Sequence, residues 1–192
     1  NKKFIKNSIC VIVISAILVI TMLGAMGIGR YSISLGDIIN TLLPKSLAGE
    51  VDPNVRTVIY NIRLPRVLLA ALAGSGLAVS GAAFQSLFSN PLATPDTLGV
   101  ATGASFGAAL GIILGFGSIG IQMCAFIVGI ACIGLVYFIS KIKGERSMIM
   151  IILAGMVISS LFQAMVSLIK YVADPQDTLP QITFWLMGSL SG

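Results

Sequence analysis

The sequence predicts an all-α, polytopic membrane protein with about five transmembrane helices, and three observations carry that prediction. Only 10% of the 192 residues are charged, against 56% hydrophobic. Soluble domains carry about 25% charged residues, and so few cannot cover a water-facing surface of this size. The charges are also excluded from long stretches: 7–29, 67–95, 97–140 and 147–169 hold none. One crossing needs about 20 apolar residues. Finally, the 97–140 stretch is long enough for two crossings and contains a turn, Gly115-Phe116-Gly117-Ser118. The expected spans are therefore 8–29, 66–88, 97–115, 118–139 and 147–171.

The first span has a basic start, Lys2, Lys3 and Lys6. Its apolar run is longer than a signal-peptide core and no small-x-small site follows, so it is read as retained. With the N-terminus inside, Lys2, Lys3, Lys6, Lys141, Lys143 and Arg146 lie inside, and Arg30, Lys45, Arg56, Arg63, Arg66 and Lys170 outside. The positive-inside count is thus even, and the crowded lysines before the first span favour a cytoplasmic N-terminus. The outer arginines call for a separate explanation.

Residues 30–62 form the long polar loop, outside under this topology. Ser34 opens a Ser-x-x-Asp box ending at Asp37, a helix-start signature. Leu35, Ile38, Ile39, Leu42 and Leu43 then make one apolar stripe, which predicts a short helix on the outer membrane surface, stopped by Pro44. Lys45–Asn54 reads as loop. Between the second and third spans, Ser89-Asn90-Pro91-Leu92-Ala93-Thr94-Pro95-Asp96 cannot be one helix, because two prolines interrupt it. Thr94 reads as an N-cap, Pro95 as the first helical residue and Asp96 as a first-turn acid. After the last span, 181–192 is too short to cross and reads as a partial or interfacial helix anchored by Trp185. The end at Gly188-Ser189-Leu190-Ser191-Gly192 has no closing polar tail, as in a truncated protein.

The third span has glycine at 99, 103, 107, 111 and 115, a bare ridge at four-residue spacing that lets a second helix approach closely. The second span is similarly thin at Ala73-Gly74-Ser75-Gly76 and Ser80-Gly81-Ala82. Such faces suit a crowded bundle of helices.

Catalytic chemistry finds little support. There is no histidine, and Cys10, Cys124 and Cys132 lie inside apolar runs, so no metal set and no cofactor site is expected. The net charge of +5 comes without a basic cluster interleaved with aromatics, so no nucleic acid is expected as partner. Gly115–Gly120 matches G-x-G-x-x-G but follows an apolar helix rather than a strand, and no P-loop occurs, so the chain does not itself hydrolyse ATP. Polar groups within spans are few, notably Gln85, Gln122 and Gln163. No span carries a mid-membrane ionisable residue, which argues against the alternative reading, an ion-gradient-driven secondary transporter. A membrane enzyme is disfavoured by the lack of His and of paired acids.

At Ile62-Arg63-Leu64-Pro65-Arg66, Gly81-Ala82-Ala83-Phe84-Gln85, Asn90-Pro91-Leu92-Ala93-x-Pro95 and Leu98-Gly99-Val100, with Leu153-Ala154-Gly155 and Trp185-Leu186-Met187-Gly188-Ser189 later, the sequence resembles the FecCD-type permeases of ABC importers. These take up iron–siderophore complexes, haem and cobalamin. The resemblance implies the N-terminal half of a ten-helix type II importer permease of the bacterial cytoplasmic membrane. The implied partners are a second permease copy, cytoplasmic ATPase subunits, an extracytoplasmic substrate-binding protein and membrane lipid. It implies that Arg63 and Arg66 dock the binding protein, where planar guanidinium forks suit carboxylates. It implies that Asn90, Pro91 and Leu92 narrow the cytoplasmic mouth, and that Ser159, Ser160 and Gln163 line the pathway. The family's grip on the ATPase lies beyond this chain.

Overall fold

The computed structural model describes residues 2–29, 31–43, 49, 51–91, 94–141 and 148–190, with the side chains of 2–5 and 148 left aside. Expected features at Arg30, Pro44, Lys45, Leu92, Lys143 and Arg146 lie outside the described residues. The chain is α-helical, and no strand occurs among the described residues. The helices are α1 (Lys2–Gly27), α2 (Leu35–Leu42), α3 (Pro53–Val58), α4 (Leu64–Leu87), α5 (Val100–Ile113), α6 (Ser118–Lys141), α7 (Met148–Val172) and α8 (Thr178–Met187). A π-helical turn, Ile59–Arg63, joins α3 to α4, and a 3-10 turn, Pro95–Leu98, precedes α5.

Four helical runs are long and apolar enough to cross a membrane: Lys6–Gly27, Pro53–Leu87, Ser118–Lys141 and Ile149–Val172. The expected third span is shorter than anticipated. Gly99 adopts a left-handed φ of 71°, so α5 begins at Val100 and has 14 residues. At about 1.5 Å per residue that is about 21 Å, short of a hydrocarbon core of about 30 Å.

The second span departs the other way. It was expected from residue 66, with loop as far as Asn54. Instead the helical run begins at Pro53, where Asp52 caps it by accepting from the Asn54 N–H at 2.8 Å. The expected loop 30–62 therefore holds α2, α3 and most of the π turn. Pro65 explains that turn. Proline has no N–H to give to the carbonyl four residues back and its ring crowds that carbonyl. The backbone widens before it, with the Leu64 N–H bonding the Ile59 carbonyl, a π-bulge that lets the helix continue.

Two compact units divide within α4, one ending at Ser75 and the other spanning Gly76–Leu190. The first has a core of Met26, Ile33, Ile38, Val55 and Ile59. Here Ser34 caps α2 as expected, accepting from the Asp37 N–H at 3.1 Å and donating to the Asp37 carboxylate at 2.7 Å. The stripe is split, however: Ile38 is fully buried along with Thr41, while Leu35, Ile39, Leu42 and Leu43 are exposed.

The second unit is built on α5, α6 and α7. The glycines of α5 face α6. A Cβ on Gly103 would lie 2.9 Å from that of Cys132, one on Gly107 would strike the Cys124 carbonyl, and one on Gly111 would lie 3.2 Å from the Ile121 Cα. The contacts run down α6 as they run up α5, an antiparallel pair joined by the turn at Gly115, whose φ is 74°. On α7 a buried stripe of Ala154, Ile158, Phe162, Val166 and Ile169 meets this pair, with Phe162 stacked obliquely on Phe106 at 5.6 Å. Short α8 tucks Ile182 against Ala109 and Ile112. It ends before Gly188, so the expected partial helix lies about three residues earlier than predicted. By contrast, a Cβ on Gly74, Gly76 or Gly81 of α4 would meet nothing within 4 Å.

Candidate functional site

Arg63 and Arg66, three residues apart in a helical run, have opposite surroundings. Arg63 is 9% exposed. Its guanidinium donates through one terminal nitrogen to the carbonyl oxygen of Met26 and through the other to that of Tyr31. Gly29 sits under it, and a Cβ there would lie 2.8 Å from the guanidinium. The rigid fork of arginine suits this double task, because it presents two donors at fixed spacing. It satisfies the open end of α1, whose last carbonyls have no partner within the helix. Arg66 is exposed. A shallow concavity of about 400 Å³ nearby on the same unit is lined by Val51, Pro53, Arg56, Thr57, Tyr60 and Asn61. The Tyr60 hydroxyl donates to the Thr41 carbonyl at 2.8 Å, tying this wall to α2.

The break between α4 and α5 is a sequence of defined corners. Helix α4 closes with a Schellman pattern: the Asn90 N–H bonds the Gln85 carbonyl at 3.1 Å and the Ser89 N–H that of Ser86 at 3.2 Å. Ser89 takes the left-handed position, φ 47°, normally held by glycine. Asn90 is half-buried and Pro91 exposed. Thr94 occupies the cap position with extended backbone, but its side chain makes no cap bond. Its carbonyl instead accepts from the Thr97 hydroxyl at 2.6 Å. The turn is 3-10 and ends at Gly99, so it does not run on into α5 as one helix.

On α7 the three expected lining residues part company. Ser160 and Gln163 are exposed on the face opposite the buried stripe. Ser159 is half-buried and packs against Gly99. Ser167, which sequence reasoning passed over, joins Ser160 and Gln163; their spacing of three, four and seven residues puts them on one face and could have found it. Ser160 and Ser167 each donate to the carbonyl four residues back, at 2.9 and 3.0 Å, a common way to satisfy a hydroxyl in a membrane helix. No group of three metal-ligating side chains exists among the described residues. Cys132 is buried against Gly103 and Cys124 lines Gly107 and Gly111, so both serve as packing residues.

Apolar helices of crossing length, closely packed on bare glycine faces, define a polytopic membrane protein. Residues 17–192 match the FecCD transport family, and the chain belongs to that family. It is 43% identical over 178 residues to the molybdate import system permease protein MolB of Haemophilus influenzae, covering 93% of this chain and 53% of the relative. It is 35% identical to the hemin transport system permease protein HmuU of Yersinia pestis (91% and 51% covered) and 32% to the vitamin B12 import system permease protein BtuC of Shigella boydii (93% and 51%). A solved structure described as a metal-chelate type ABC transporter in an inward-facing conformation aligns with TM-score 0.77 at 41% identity, covering 92% of this chain and 52% of that one. The chain spans about half the length of the relatives it matches. The family is one of ABC permease subunits, a transport component and not an enzyme.

Proposed function

We propose that this chain is the N-terminal half of the permease subunit of an ATP-driven importer for an iron–siderophore or related metal chelate. It forms one wall of a pathway completed by a second permease copy, with cytoplasmic ATPase subunits below and an extracytoplasmic binding protein above. The membrane is the bacterial cytoplasmic membrane, with the N-terminus inside. The observation that carries the reading is the polar face of α7. Ser160, Gln163 and Ser167 stand exposed on a span of mean hydropathy 2.3. The two hydroxyls are met by their own helix, but the Gln163 amide is costly in lipid and not against a water-filled path. Among the described residues the spans carry no acidic side chain, and the driving energy is assigned to another subunit.

Within this reading Arg66 carries the docking of the binding protein, since its guanidinium is free to meet a carboxylate while Arg63 holds the loop beneath it. Asn90, Pro91 and Leu92 form the cytoplasmic gate. A second substrate reading, a molybdate-type oxyanion, is favoured by the 43% identity to MolB. The full-length permease, reconstituted with its ATPase and binding protein, tests all of this. Uptake of ferric siderophore, haemin, cobalamin and molybdate is measured with ATP and with an ion gradient alone. ATP-dependent uptake of one chelate is expected; gradient-driven uptake without ATP would sink the importer reading, and uptake of molybdate alone would select the oxyanion.

A further inference from the structure

We infer that Gly155 and Ser159 of α7 are positioning residues that bind the Thr97–Gly99 corner before α5 to α7, so that this corner, which follows the proposed gate, travels with α7 as one body. The inference rests on the gate reading above. Its basis is a corner where the turn meets α7 through main-chain atoms and α6 through a thiol.

The 3-10 turn ends at Leu98 and Gly99, both buried. Gly155 offers the first notch. A Cβ there would collide with the Thr97 carbonyl oxygen and lie 3.1 Å from the Leu98 Cα. One helical turn on, Ser159 closes the other side: a Cβ on Gly99 would lie 2.5 Å from the Ser159 hydroxyl oxygen and 3.2 Å from its main-chain nitrogen. From α6, the fully buried Cys132 donates its thiol to the Gly99 carbonyl at 3.1 Å. Around the corner, Leu98, Cys132, Val136, Ala154, Ile158 and Phe162 form one buried cluster.

Two consequences follow. Contacts of backbone against backbone cannot be released by a rotamer change, and close-packed cores transmit displacement rather than absorb it. The corner therefore moves only when α7 moves. The same helix thus holds the proposed pathway wall, at Ser160, Gln163 and Ser167, and the anchor of the corner that follows the proposed gate. Two sequence blocks far apart, Leu98-Gly99 and Leu153-Ala154-Gly155, become the two halves of one joint.

The test uses the full-length permease assembled with its ATPase and binding protein in lipid nanodiscs. Cys10, Cys124 and Cys132 are replaced by serine, which keeps a donor at 132. Spin labels are placed at Asp96→Cys and Leu168→Cys, both exposed sites; the second lies about 20 Å along α7 from Gly155. Diluting labelled with unlabelled permease restricts the reading to pairs within one chain. The expected result is one Asp96–Leu168 distance distribution with and without bound ATP, while the Asp96–Asp96 distance between the two copies shifts. A nucleotide-dependent Asp96–Leu168 distance overturns the joint. An unchanged Asp96–Asp96 distance with a constant Asp96–Leu168 distance removes the gate reading and leaves the joint standing.

Gly155→Ala is expected to shift the Asp96–Leu168 distance and to lower uptake per ATP hydrolysed. A merely structural role would lower assembly, hydrolysis and uptake in step. Should that variant fail to assemble, Ser159→Val fills the space beside Gly99 to the same end. Unchanged distance and coupling in the variant that assembles overturns the proposal.

Discussion

Arg63 reaches back across the sequence to donate its guanidinium to the main-chain carbonyl of Met26, at the end of the first membrane helix. This bond, and its twin to Tyr31, make a residue at the head of the second span a cap for the first. Arg66, one turn on and exposed, has no such duty. The Arg-Leu-Pro-Arg block is thus one structural arginine and one available arginine.

That division predicts separable phenotypes. Arg63→Ala leaves the buried Met26 carbonyl and the part-buried Tyr31 carbonyl without their charged donor, and is expected to cost about 2 kcal/mol. Arg63→Lys does not rescue it, since a single ammonium cannot span both oxygens. Arg66→Glu is expected to leave stability unchanged and to weaken binding-protein affinity, with the effect fading at high salt. Denaturation in detergent and an affinity titration at two ionic strengths check both arms. Equal loss of stability in the two variants would refute the division.

Ser34→Ala removes the cap of α2, whose side-chain oxygen holds the Asp37 N–H. A loss of about 1 kcal/mol is expected, confined to that helix. Hydrogen exchange should speed at Asp37 and Ile38 without change in α6 or α7.

Ser89 holds a left-handed backbone, φ 47°, at the end of α4. For a residue with a Cβ this costs about 1 kcal/mol. Ser89→Gly is therefore expected to stabilise the break by up to that amount and Ser89→Val to destabilise it, read from thermal unfolding of the pair.

Along α5 and α6 two glycines should respond oppositely. Gly107→Ala drives a methyl group into the Cys124 carbonyl and is expected to cost about 2 kcal/mol by overpacking. Gly129→Ala places its methyl 3.6 Å from the Ala104 Cβ, an ordinary contact. It should be neutral, or stabilising by up to about 1 kcal/mol through helix propensity. Similar losses at both positions would show that the ridge is not the packing surface.

Much of the architecture was legible because its signals are local. The cap at Ser34 and the turn at Gly115–Ser118 depend on neighbours a few residues apart, and both stand where expected. The start of the second run was missed because the charge-free stretch begins only at residue 67, after Arg56, Arg63 and Arg66. The π turn that absorbs Pro65 is stabilised by packing of Val55 and Ile59 onto Met26 and Ile38, which no local pattern announces. The third span was overextended because an apolar run does not reveal that Gly99 turns left-handed, where the wall of α7 leaves no room for a Cβ.

The sequence by itself determined the solvent: charge-free runs of bilayer length leave lipid as the environment, because unpaired charges cannot be buried there. It also determined which helix surfaces were thin enough for close approach. Only the tertiary structure decided which arginine is spent inside and which is free, and that Gly155 and Ser159 enclose the corner at Gly99. Those outcomes depend on the meeting of segments distant in the chain. Fixed-spacing donors and backbone contact are properties of three-dimensional packing, and a one-dimensional pattern holds only their parts.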